Sequence, residues 1–137
     1  MNDNLPLKQA LLEICDKDPR FDLQAYFFIK EAFDYTFREL KKAGEIRSDE
    51  THITGQILLN GIRKYALKQY GPMVMTLMKT WGIKTCKDFG HIVFNMVDHE
   101  VLGRSEQDSL DDFSAGYSFK EAFETPFLPS KKLEKIK

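Results

Sequence analysis

Apolar residues recur along most of the chain at the spacing of a helix rather than of a strand. Leu7, Ala10, Leu11 and Ile14 fall at i, i+3, i+4 and i+7, which predicts a first amphipathic helix. "DKDPRFD" interrupts it, because Pro19 disfavours a helical conformation at Asp18 and Asp22 is placed to cap the next start. A 3.6-residue period then runs over residues 22–42. Leu23, Tyr26, Phe27, Ile29, Phe33, Phe37 and Leu40 form one broad apolar face there, and Gly44 supplies the stop. Phe28 and Tyr35 lie on another side, which predicts contact with a second layer or with a partner.

"GEIRSDETHI" reads as a polar loop with room for a short strand. Thr54 is placed to cap a third helix over 55–70, with Leu58, Ile62, Tyr65 and Ala66 inward. Gly71-Pro72 ends that helix and opens a fourth over 72–81, carrying Met73, Val74, Leu77 and Met78. Gly82 followed by Ile83 has the pattern of a Schellman cap, and Thr85 with Asp88 imitates a capping box. The fifth helix is expected to run to residue 102, with Phe89, Ile92, Val93, Met96 and Val97 inward and Gly103 as its stop. "RSEQDSLDDFSAGYSF" is polar and acidic with spaced aromatics, and reads either as an irregular loop or as a hairpin. Ser118 and Glu121 make an S-x-x-E box for a short helix closed by Pro126. The expected fold class is therefore mainly α: a compact five- to six-helix single domain over 1–126. A small β-hairpin after the fifth helix, like the wing of a winged helix, is the one β element the pattern admits. Residues 127–137, ending in "SKKLEKIK", form a Lys-rich tail expected to fray.

Composition changes this picture little. A chain of 137 residues fits one domain and needs no disulfide or metal to fold. Aromatics reach 12%, with 11 Phe, which suggests a ring-filled core. The net charge of −1 argues against nucleic acid as the main partner when total charge alone is considered. Cys15 and Cys86 form no CxxC and read as free thiols in a reducing cytoplasm. The N-terminus lacks a basic region followed by an apolar run, and no segment approaches the ~18 apolar residues of a membrane span.

Chemistry is hinted at in "WGIKTCKDFGHIVFNMV". Asp88-Phe89-Gly90 repeats the kinase metal-binding triplet, but without a Gly-rich loop or an HRD segment Asp88 is better read as a helix cap. Gly90 inside a helix is unfavourable by up to ~1 kcal/mol relative to Ala, which points to a close backbone neighbour. Cys86 at a helix N-terminus is expected to have a lowered pKa, yet His91 lies about 140° around the helix, a poor position for its base. His91 and His99 sit about 80° apart in projection, unlike the i, i+4 pairs of helical zinc sites. On the second helix, Lys30 and Asp34 are expected in the middle of the apolar face. Arg38 follows four residues on, so either an ion-pair ladder or a polar cleft is predicted, or Lys30 snorkels at the edge of the core while Asp34 pairs locally. The fourth and fifth helices outline a helix-turn-helix in which Lys84, Thr85, Lys87, His91 and Asn95 would face DNA. Asp88, Asp98 and Glu100 oppose that reading, since carboxylates repel phosphate.

The strings "DPRF…AYFFIKEAFDYT", "THITGQILLNGIRKYALKQYGPM", "WGIKTCKDFGHIVFNMV" and "DFSAGYSFKEAF" together resemble a family of small conserved hypothetical bacterial proteins, described mainly from planctomycetes, verrucomicrobia and related phyla. The resemblance covers about residues 18–123 and implies a bacterial, cytoplasmic, single-domain protein. It carries over no activity, cofactor or catalytic residue.

Three functional classes follow. The first is a non-catalytic adaptor that binds a larger protein or ribonucleoprotein assembly. It would use Phe28, Lys30, Asp34, Tyr35 and Arg38, or the acidic 107–113 loop. The second is a winged-helix-like nucleic-acid binder, with DNA as the partner. The third is a small metal- or thiol-dependent enzyme built on His91, His99 and Cys86. The first is the reading preferred, with no cofactor, no metal, no membrane and no small-molecule ligand expected.

Overall fold

The computed structural model describes residues 5–50, 53–102, 111–114 and 116–128. Among them the chain forms α1 (Leu5–Lys17), α2 (Leu23–Lys42), α3 (Gly55–Tyr70), α4 (Val74–Trp81), α5 (Cys86–Asp98) and the single turn α6 (Asp111–Ser114). A π-type turn (Lys120–Glu124) and a 3-10 turn (Thr125–Phe127) follow. No strand occurs among the described residues.

Local punctuation sets the helix ends. The Asp22 carboxylate accepts from the Gln24 N–H at 2.8 Å, and the Thr54 hydroxyl from the Ile57 N–H at 3.2 Å. The Asp88 carboxylate accepts from the Lys84 and Thr85 N–H groups at 2.8 and 3.2 Å, the returning half of the capping box. Gly82 takes φ +84 and closes α4 as a Schellman cap, with the Ile83 N–H donating to the Met78 carbonyl at 2.8 Å. The 18–22 loop rests directly on this cap. Asp22 N–H donates to the Trp81 carbonyl at 3.0 Å, and a Cβ on Gly82 would overlap the Arg20 carbonyl.

α2 is the central helix, packed against α3 along its length and touching α1, α4 and α5. Its innermost residues are Ala25, Tyr26, Phe28, Ile29, Ala32 and Thr36, whereas Phe27, Phe33, Phe37 and Leu40 are only half-buried. Tyr26 and Ile29 face inward as expected, but Ala25, Phe28, Ala32 and Thr36 take the places expected for Phe27, Phe33, Phe37 and Leu40. Short side chains, not the large rings, mark where the partner helix comes closest. Opposite Thr36 stands Gly61 of α3, at which any Cβ would overlap the Thr36 side chain. Lys30 and Asp34 consequently lie on the side of α2 away from Ala32 and Thr36, not in the middle of the apolar face.

The hairpin expected after α5 gives way to helical structure in the described part of that region. α6 packs against α3 and α5, Phe113 is buried, and a Cβ on Gly55 would meet Asp112 Cβ at 2.9 Å. Residues 103–110, which hold most of the expected wing and acidic loop, lie outside the described residues, as do 129–137 of the tail. The helix expected after Ser118 is wider than an α-helix. Ser118 Oγ accepts from the Glu121 N–H at 3.2 Å as expected, but the backbone continues as the π turn. Its rings anchor it: Phe119 stacks on Phe89 at 5.3 Å and on Phe123 at 5.2 Å.

Candidate functional site

A chain of aromatic rings runs from the interior to the α2–α3 surface. Trp81 meets Phe28 at 5.4 Å, Phe28 meets Tyr65 at 5.8 Å, and Tyr65 meets Tyr35 at 5.2 Å. The Lys68 ammonium stands 5.4 Å over the Tyr35 ring. Tyr65 donates its hydroxyl to the Glu31 carboxylate at 2.9 Å, and burial with that carboxylate pushes its pKa up to about 12. On the side of α2 away from these rings, Lys30 and Asp34 pair at 2.7 Å, with side chains 26% and 50% exposed.

The residues expected to bind a partner therefore divide. Asp34 and Arg38 are exposed and Lys30 and Tyr35 half-buried, with Tyr35 on the α3 side of α2 and Lys30 and Asp34 turned away from it, while Phe28 is 2% exposed and belongs to the core against α3 and α4. Of the two readings the sequence allowed for Phe28, the second packed layer holds and the exposed anchor does not. The expected ladder stops at Lys30–Asp34, an exposed i, i+4 pair that needs no burial to be satisfied. A recess of about 100 Å³ opens where α2 and α3 cross, lined by Tyr35, Glu39, Leu40, Asn60 and Lys64.

The residues expected to face DNA divide as well. Lys84, Thr85 and Lys87 are exposed at the start of α5. His91 is half-buried, and Asn95 turns inward to a second polar network. Its amide donates to Asp18 Oδ2 at 2.9 Å and to the Tyr26 hydroxyl at 3.0 Å. Arg20 grips Asp18 with Nε and Nη2 at 2.8 and 2.7 Å, which holds the Asp18 carboxyl well below its ordinary range. Burial pushes Tyr26 up to about 12. His99 closes this network, its Nδ1 lying 3.2 Å from the Asn95 carbonyl and its Nε2 3.4 Å from Lys17 Nζ. No sequence signal marked this cluster, because Asp18 and Asn95 are 77 positions apart.

The thiols are not activated. Cys86 is buried beneath Gly116, at which a Cβ would meet its Sγ at 2.6 Å, and it donates to the Tyr117 carbonyl at 3.4 Å. Burial pushes its pKa up to about 11, which overrides the lowering expected at a helix N-terminus. Cys15 borders an open cleft of about 460 Å³ together with Arg20, Phe21, Lys79 and Trp81, and burial and nearby carboxylates raise its pKa. Among the described residues no three His, Cys, Asp or Glu groups are placed to hold a metal ion. Among them also, no helix is long and apolar enough to cross a membrane.

The chain matches no protein-family model, no curated protein sequence and no solved structure.

Proposed function

We propose that this is a non-catalytic interaction protein that docks a larger protein partner on the surface shared by α2 and α3. The observation that carries this reading is the half-exposed Tyr35–Tyr65 pair flanked by Glu31, Arg38 and Lys68. Tyrosine and arginine supply the anchors of protein interfaces, and here rigid rings rest on a buried aromatic foundation that leaves little to be ordered on binding. The raised pKa values of both thiols speak for the same reading, since a nucleophilic cysteine needs the opposite shift. A cytoplasmic setting and membership of the bacterial family named above belong to this proposal. The recognition unit of α4 and α5 is the weaker alternative, because Asn95 is already engaged inside the protein.

The test is affinity capture from native bacterial extract with the full-length protein, with nuclease treatment and high salt as controls. A protein recovered in stoichiometric amount after nuclease treatment, and lost when Tyr35→Ala and Arg38→Glu are combined, is the expected result. Retention of that protein by the double variant overturns the assignment of the surface.

A further inference from the structure

The charges of this protein are segregated along the chain. Residues 51–87 contain Arg63, Lys64, Lys68, Lys79, Lys84 and Lys87 and not one Asp or Glu. The remainder holds 14 Lys or Arg against 21 Asp or Glu, so a chain of net charge −1 consists of a +6 segment and a −7 remainder. The first acid after the segment, Asp88, has its carboxylate engaged with the Lys84 and Thr85 N–H groups.

α3 presents this excess as an ordered stripe. Its inward residues are Gly55, Leu58, Leu59, Gly61, Ile62 and Ala66, so the opposite side carries Gln56, Asn60, Arg63, Lys64 and Lys68. All of these are exposed except the half-buried Arg63. Arg63 Nη2 reaches Asn60 Oδ1 at 3.4 Å, which lays the guanidinium along the stripe. Among the described residues no carboxylate forms an ion pair with Arg63, Lys64 or Lys68. Among the described residues, acids that border α3 include Glu31, bonded to Tyr65, Glu39 across the α2–α3 recess, and Asp112, whose backbone carbonyl accepts from Gln56 at 2.6 Å.

We infer that the outward face of α3 docks the phosphate backbone of a nucleic acid. Cations with no ion-pair partner among the described residues, on a protein of nearly neutral total charge, suit a polyanionic partner. Two features favour nucleic acid over an acidic polypeptide. One to two turns N-terminal to the cations stand two amides, Gln56, whose Nε2 donates to the Asp112 carbonyl, and Asn60, whose Oδ1 accepts from Arg63, and the Tyr35 ring borders the stripe under Lys68. Such groups bond sugar, phosphate and base edges or stack on bases. Only Ile57 offers the stripe an exposed large apolar side chain, too little for the apolar centre of a protein interface. The spacing also fits: Lys64 and Lys68 are displaced by about 6 Å along the helix axis, close to the ~6.8 Å covered by two phosphate steps of one strand. This inference shares Tyr35 and Lys68 with the protein-docking reading but rests on the cations of α3, and its test at Lys64 and Lys68 is separate from the Tyr35/Arg38 capture test.

The test is fluorescence anisotropy of the full-length protein with a labelled oligonucleotide of about 20 nucleotides, single-stranded and as a duplex, at about 50 and about 200 mM salt. Binding that weakens over that range about 40-fold on the duplex, or about 20-fold on the single strand, is expected for three neutralised phosphates, and Lys64→Glu with Lys68→Glu should lower the salt exponent by about 1.5–2. Lys8→Glu with Arg47→Glu makes the same charge change away from α3 and should alter affinity less than about twofold. Circular dichroism and the milder Lys64→Gln/Lys68→Gln pair show that any loss belongs to charge and not to folding. No binding up to about 100 μM protein, equal losses in both Glu pairs, or polyglutamate competing as well as the oligonucleotide at equal charge would each overturn the proposal.

Discussion

Asp18, Arg20, Tyr26 and Asn95 on one flank of α2, and Glu31, Tyr35, Tyr65 and Lys68 on the other, are built from similar groups. Each set contains a carboxylate, a cation and a tyrosine. The first set is tied inward through Tyr26 and Asn95: Tyr26 is fully buried and Asn95 bridges two elements, while the exposed Arg20 fork fixes Asp18 from the surface. The second makes one hydrogen bond, Tyr65 to Glu31, and otherwise leaves ring faces and charges at the surface. Removing a buried partner strands the other group without water, whereas an exposed group simply returns to solvent. The inner set therefore holds the loop, α2 and α5 together, and the outer set is free to meet another molecule.

That contrast can be broken at its foundation first. Gly82→Ala forces a side chain into positive φ and against the Arg20 carbonyl, which lifts the 18–22 loop from α4. A loss of about 2–4 kcal/mol in urea unfolding is expected. Asn95→Ala leaves the Tyr26 hydroxyl and the Asp18 carboxylate short of a donor and should lower stability by about 1–3 kcal/mol. It should leave oligonucleotide binding unchanged, since its side chain is directed inward. Tyr65→Phe on the outer flank should lower stability by about 0.5–1.5 kcal/mol. Lys30→Ala, which opens an exposed pair, should change it by less than about 1 kcal/mol. Outer-flank losses as large as that of Asn95→Ala would dissolve the distinction.

Acid titration sharpens the same comparison. The Asp18 pKa is depressed in the folded protein, so its contribution is complete above the ordinary carboxylate value of 3.8 and is lost as the pH falls below it. Asp18→Asn removes that contribution at neutral pH and flattens the decline of stability below about pH 4, measured as urea midpoints against pH.

Helix ends were legible in the sequence because their signals are local. Asp22, Thr54, Gly82 and the Thr85–Asp88 pair each act within four residues, and each caps the helix it was expected to cap. The inner face of α2 was not legible from its apolar period. Two layers flank this helix, and what selects the face is a glycine on another element, Gly61 against Thr36. The hairpin failed for a related reason. The spaced aromatics of this segment admitted a hairpin, yet burial of Phe113 between α3 and α5 selects a helical turn. The candidate surface was half legible: Lys30, Asp34, Tyr35 and Arg38 are accessible, but Phe28 sits on the α3 side of the same helix.

The seating of Gly116 and Tyr117 over Cys86 also gives the protein a clock. The thiol lies under the backbone of the C-terminal segment, whose Tyr117 hydroxyl is tied to the Leu59 carbonyl at 2.8 Å. An alkylating reagent reaches Cys86 only in the moments when that segment lifts, whereas Cys15 borders an open cleft. The ratio of the two labelling rates therefore measures how often the C-terminal segment detaches while the rest of the bundle stays folded, and Tyr117→Phe should make it detach more often.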